Sequence, residues 1–178
     1  SASIVFVAAA EAAECPRKDA LGTSRILAVD AATSPRVGSK SFPQTLPLED
    51  REVVLTFDDG PWPGTTPKVL AALAHECVRA TFFLIGKPAA ARPDMVRALA
   101  AQGHTVGHHT WTHHNLKYMK PDAAIGEIDK GVAADGEVGE VADGIEVGER
   151  RVPANVLGDV DRADRDAEVE IDVVDVRD

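Results

Sequence analysis

Aromatic side chains are few and end early: all eight lie at or before Tyr118. Histidine ends too, with none after His114. A stretch without aromatics and with high net charge has little with which to build a packed core. Residues 131–178 fit that description, holding 15 of the 29 acids and 5 of the 19 bases, so their net charge is −10 while residues 1–130 balance at 14 − 14 = 0. Such acidity argues against nucleic acid or an anionic membrane as a partner. Long apolar runs are also missing. The longest near the start, Ile4 to Ala10, falls far short of the ~20 residues a bilayer span needs, so no stable membrane insertion is expected. Only two cysteines occur, Cys15 and Cys77, at a separation that carries no metal-ligand signature. Cys77 shares a helical stripe with Val69, Leu70, Leu73 and Val78, which predicts a core-facing residue and two unpaired thiols. His75 falls off that stripe and is expected in solvent.

What the chain does have is concentrated between residues 51 and 130. Val53, Val54, Leu55 and Phe57 suit a buried strand and run directly into Asp58-Asp59-Gly60-Pro61, where the Gly-Pro pair stops it. Alone, an Asp-Asp-Gly-Pro sequence also reads as a turn that merely ends a strand. In parallel α/β sheets, however, the carboxyl ends of strands face the substrate crevice. Neighbouring strand side chains point to opposite faces, so Asp58 and Asp59 aim apart unless the turn re-aims one, and two acids can then hold two jobs.

The second concentration lies fifty residues on, in Gly103-His104-Thr105-Val106-Gly107-His108-His109-Thr110-Trp111-Thr112-His113-His114. His109 and His113 are four apart. With Asp59 they make a two-histidine, one-carboxylate set that can hold a metal and leave positions open for water. No Glu follows His109, so the zinc-protease helix pattern, with its base between the ligands, does not apply. The base must come from elsewhere, and Asp58 adjoins the set. His108 and His114 are extra, with solvated or supporting roles expected. A non-haem iron oxygenase shares this ligand set, but no double-stranded β scaffold is predicted here.

From residue 51 onward the pattern alternates strand and helix three times, which predicts parallel strands in an α/β fold. Arg25 to Val29 is a further strand candidate, and the second helix is expected from Pro93 to a Gly103 stop. The third helix starts near Pro121-Asp122. Residues 16–50 are rich in proline and scattered Ser and Thr. The expected organisation is a remnant of an export signal at 1–14, a leader at 15–50, a catalytic-type domain at 51–134 and an acidic tail at 135–178. In the tail, Val152 to Val160 and Val169 to Val176 are marginal strand candidates.

Thr56-Phe57-Asp58-Asp59-Gly60-Pro61 and His109-Thr110-Trp111-Thr112-His113 resemble the first two motifs of the polysaccharide deacetylases, the NodB-homology domain of carbohydrate esterase family 4. Between those motifs the chain also resembles the family, with Thr66-Pro67-Lys68-Val69-Leu70 opening a helix, Ala80-Thr81-Phe82-Phe83-Leu84-Ile85-Gly86 as a strand and Gly103-His104-Thr105-Val106-Gly107 leading into the second motif. The resemblance implies the first part of an irregular (β/α) barrel, followed here by a poorly ordered acidic tail. It implies Asp58 as catalytic base, and Asp59, His109 and His113 as ligands of a divalent metal, usually zinc. The implied reaction is removal of N-acetyl groups from an N-acetylglucosamine-containing polysaccharide, chitin-like oligomer or peptidoglycan, outside the cytoplasm. The family's later motifs include an Arg-x-Pro-Tyr strand and a Leu-x-His that supplies the catalytic acid. Arg151-Val152-Pro153-Ala154 echoes the first only faintly, and the resemblance stops after about residue 134, as a truncation or a frame shift would produce. A catalytically impaired metal- or glycan-binding remnant is therefore the alternative expectation.

Overall fold

The computed structural model describes residues 15–30, 46–139 and 168–176. In chain order the elements are β1 (Arg25–Asp30), β2 (Glu52–Val53), β3 (Thr56–Asp58), α1 (Thr66–Glu76), β4 (Thr81–Leu84), α2 (Gly86–Ala91) and α3 (Pro93–Ala101). There follow β5 (Thr105–His108), a 3-10 turn (Leu116–Tyr118), α4 (Pro121–Gly139) and β6 (Glu168–Asp175). The expected export remnant at 1–14, residues 31–45 of the leader, the Val152 to Val160 strand candidate and the Arg151-Val152-Pro153-Ala154 echo all lie outside the described residues.

The fold is α/β, as expected, and its functional half is a parallel sheet in the order β3-β4-β5. Register places Phe57, Phe82 and Val106 side by side, and this face meets the helices. Phe57 stacks on Phe82 with ring centroids 5.1 Å apart, within a core that includes Leu70 and Leu73 of α1, Leu84 of β4, and Val96 and Leu99 of α3. Burying each such side chain contributes about 1.5–3 kcal/mol. The helix ends follow their sequence signals. Pro67 and Pro93 sit in the first turns of α1 and α3, where a missing N–H costs nothing. After α3, Gly103 takes φ +79° and its N–H donates to the Ala100 carbonyl, a left-handed step that glycine makes without a Cβ clash.

Three expectations need correction. The apolar run Val53 to Phe57 is not one strand: Val53 pairs antiparallel with Val174 in β6, whereas β3 begins at Thr56 and pairs with β4. One short run thus serves two sheets, because backbone partners exist on both sides. The strand-like Ala80 to Gly86 stops at Leu84, and Gly86 opens the unforeseen helix α2. A Cβ on Gly86 would lie 2.8 Å from the Trp111 ring and 2.9 Å from Gly131 Cα, so glycine is needed there for close approach rather than for a turn. Finally, Cys15 and Cys77 are not free thiols but form a disulfide, with Cα atoms 5.7 Å apart. Cys77 does not extend the helical stripe, since it caps α1 at φ 54°, outside the helix. Around the disulfide, Gly22 N–H donates to the Glu76 carbonyl, and Arg17 meets both His75 and Glu76, which pins the leader to the end of α1. His75 stays exposed, as expected.

The acidic tail contributes β6, the centre of a second sheet in the order β1-β6-β2. The antiparallel register sets Leu27 opposite Ile171 and Val29 opposite Val169. Val173 and Val174 are buried, and Val174 joins the main core. Arg25 and Glu52, from the two strands flanking β6, form a bidentate ion pair at 2.7 and 2.8 Å.

One of the clustered histidines belongs to this core. His104 is buried, its Nδ1 accepts the Ala80 N–H at 3.2 Å, and its ring meets Phe82 edge-on. Burial, with Arg79 nearby, pushes its pKa down to about 4 from 6.5. The unfolded chain therefore binds this proton first, so the contribution of neutral His104 is complete above pH 6.5 and is lost as pH falls through 4. In His104→Asn, whose amide oxygen can accept the same N–H, this acid-linked loss is expected to vanish. Between pH 7 and 4 the stability advantage of the wild type should shrink by roughly 3 kcal/mol. Parallel denaturation curves for the two proteins across that range would contradict the assignment.

Candidate functional site

The site is built where β3 and β5 end. Asp58 is the last residue of β3, in register with Phe83. Asp59 then leaves the strand at φ 78° while its N–H donates to the Phe83 carbonyl at 3.1 Å. That left-handed step breaks the alternation of the strand, so the two acids part: Asp58 stays exposed on β3 and Asp59 turns toward the histidines. His109 directly follows β5, and its N–H prolongs the ladder by donating to the Leu84 carbonyl at 2.8 Å.

His113 is brought back by a loop, not by a helix. Thr110 and His113 have φ 63° and 62°, and Thr110 Oγ1 accepts the His113 N–H at 3.0 Å. Positive φ at a β-branched residue is a genuine outlier. Among the described residues five non-glycine positions have positive φ, and Asp59, Thr110 and His113 are three of them. Each costs about 1–3 kcal/mol and persists only where the surroundings over-determine it, as they commonly do at functional sites. Here the N–H groups of Gly86 and Lys87 at the start of α2 donate to the Thr110 and Trp111 carbonyls at 2.8 and 2.9 Å. Trp111 is half-buried against Gly86, behind the loop.

The result is a convergent donor set. Asp59 Oδ1 lies 3.6 Å from His109 Nε2 and 3.4 Å from His113 Nε2, and ligand atoms of all three residues fall within 4.8 Å of one another. Four ligands at ~2.0–2.1 Å around a tetrahedral ion stand roughly 3.3 Å apart, and the two separations from Asp59 are close to that spacing. The group is open on one side, with side-chain exposures of 53%, 33% and 51% for Asp59, His109 and His113. Of the other clustered histidines, His104 belongs to the core. His108 is half-buried in β5, and burial together with the neighbouring His109 lowers its pKa below the ordinary value. His114 is exposed, with Nδ1 against the Thr112 hydroxyl.

Glu127 of α4 was not singled out from the sequence. Its carboxylate accepts the Thr112 N–H at 2.8 Å and the Thr112 hydroxyl at 2.7 Å, while its carbonyl accepts the Trp111 N–H at 2.8 Å. Burial works to raise its pKa, but the Thr112 hydrogen bonds, with His114 and Lys130 nearby, outweigh it and hold the carboxyl below its ordinary value. A signal was present: Glu127 adjoins the stripe of Ala124, Ile128 and Gly131 that α4 buries, and a carboxylate beside a buried stripe needs partners.

A family model described as polysaccharide deacetylase matches residues 45–139. The chain is 44% identical over 84 residues to a peptidoglycan-N-acetylglucosamine deacetylase of Bacillus cereus, covering 47% of this chain and 30% of that protein. It is 46% identical over 80 residues to a chitooligosaccharide deacetylase of Rhizobium leguminosarum bv. trifolii, covering 45% and 37%. Among solved structures, a family 4 carbohydrate esterase from Streptomyces lividans in complex with acetate aligns with 38% identity and a TM-score of 0.47, covering 49% of this chain and 45% of that one. The chain spans about a third of the length of these two curated relatives. The family match covers more than half of the 178 residues, and on that ground the chain belongs to the polysaccharide deacetylase family.

Proposed function

We propose that this protein is a metal-dependent hydrolase that removes N-acetyl groups from an N-acetylglucosamine-containing polysaccharide. The observation that carries the reading is the convergence of Asp59, His109 and His113 at 3.4 and 3.6 Å. Its relatives' names supply the substrate class, peptidoglycan in one case and chitooligosaccharide in another. Asp59, His109 and His113 hold a divalent cation, Zn²⁺ by their nitrogen and carboxylate chemistry. Such an ion, when bound, supplies Lewis acidity and a water activated near neutral pH. Asp58, exposed beside Asp59, accepts the proton of the attacking water. The left-handed turn at Asp59 is what lets adjacent acids divide the work, one facing the ion and one free to move a proton. An extracellular glycan as substrate requires export, and no described helix is long and apolar enough to cross a membrane. The expected domain unit is residues 51–134.

A second reading, a metal- or glycan-binding remnant of low activity, is favoured by one specific observation: the family match ends at residue 139, and residues 140–178 offer no histidine as the acid. Departure of the amine needs a proton, and loss of a general acid typically costs ~10²–10⁴-fold in rate. Metal content after dialysis, combined with acetate release from an N-acetylglucosamine oligomer, tests both. One zinc per chain with measurable acetate supports the enzyme. Bound zinc without turnover supports the remnant, and a chain that retains no metal overturns both.

A further inference from the structure

Resting on the metal-site reading above, we infer that Glu127 is a positioning residue that holds the loop between His109 and His113 in its ligand geometry. Thr110 to Thr112 is the whole span joining the two histidines, and it is restrained from both sides. Two peptide N–H groups of α2 take the Thr110 and Trp111 carbonyls. On the opposite side, Glu127 takes the Trp111 N–H on its carbonyl, and the Thr112 N–H and hydroxyl on one carboxylate oxygen. The loop also lies directly against α4, where a Cβ on Gly131 would come within 2.9 Å of the Thr110 carbonyl carbon. Thr110 and His113 hold costly left-handed backbones, and an unrestrained loop would relax out of them. Relaxation would move His113 away from Asp59. The carboxylate of Glu127 therefore acts on the metal through Thr112, without touching it.

The test uses the full chain with Co²⁺ as the probe and reads binding affinity and the visible spectrum, together with amide exchange at Trp111 and Thr112 in the metal-free protein. Glu127→Ala is expected to weaken Co²⁺ binding ~10–100-fold, the range typical when an outer partner of a ligand is lost, and to speed exchange at Thr112. Glu127→Gln, which keeps an acceptor oxygen, is expected to restore both to near the wild-type values. Thr112→Val, which removes only the hydroxyl bond, should give a smaller loss in the same direction and serves if Glu127→Ala does not fold. Wild-type affinity, spectrum and exchange in Glu127→Ala, or in Thr112→Val where the former is unfolded, overturn the proposal. Equal losses in Glu127→Ala and Glu127→Gln also overturn it, because charge rather than the hydrogen-bond clamp would then be responsible. If the wild type itself binds no Co²⁺, the metal reading fails, while the exchange measurement still decides whether Glu127 holds the loop.

Discussion

Replacing Asp59, His109 or His113 by alanine is expected to abolish tight binding of Zn²⁺, with an affinity loss beyond the ~10–100-fold that follows loss of a mere outer partner. Asp58→Asn should keep the metal and lose any turnover. The difference rests on one backbone angle. At φ 78° Asp59 leaves the strand and comes within 3.4 and 3.6 Å of the two imidazoles, whereas Asp58 remains part of β3. Metal content after exhaustive dialysis separates the two acids, and equal metal loss in Asp58→Asn and Asp59→Ala would sink the division of roles. Because only the folded site binds the ion, zinc at a hundredfold excess over its dissociation constant should add ~2.7 kcal/mol to the wild type. The same addition should leave the melting temperature of His113→Ala unmoved.

Breaking the Cys15–Cys77 disulfide is expected to cost about 4 kcal/mol, a large share of the ~5–15 kcal/mol that usually separates folded from unfolded domains. The bond joins residues 62 apart, so in the unfolded chain it closes a long loop and removes much conformational freedom. Contacts at the join would weaken as well: Leu21 and Gly22 donate to Glu76, and Arg17 bridges Asp19 and Glu76 at the end of α1. Urea unfolding of the wild type and of Cys15→Ser/Cys77→Ser should show a lower midpoint for the variant, and so should reduction of the wild type. Coincident transitions, or two reactive thiols in the native unreduced protein, would refute the bond. A structural disulfide of this kind forms in an oxidising compartment, which accords with the proposed action on an extracellular glycan.

Residue order alone determined the type of most elements and the identity of the candidate ligands. The starts of α1 and α3 were written in Pro67 and Pro93, and the end of α3 in Gly103. These are local signals, because a proline ring or a missing Cβ restricts the backbone whatever lies around it. Asp59, His109 and His113 were legible for a similar reason: few residue types ligate metals, and their clustering is visible without coordinates. The geometry that brings them together was not legible. Left-handed backbones at Asp59, Thr110 and His113 run against local preference and hold only because Phe83, Gly86, Lys87 and Glu127 bond to the turn and the loop from distant points in the chain. The same is true of the split of Val53 to Phe57 between two sheets, and of Cys77 meeting Cys15. Each depends on what another segment presents across space, and pairing between remote segments leaves no mark in the periodicity of either one.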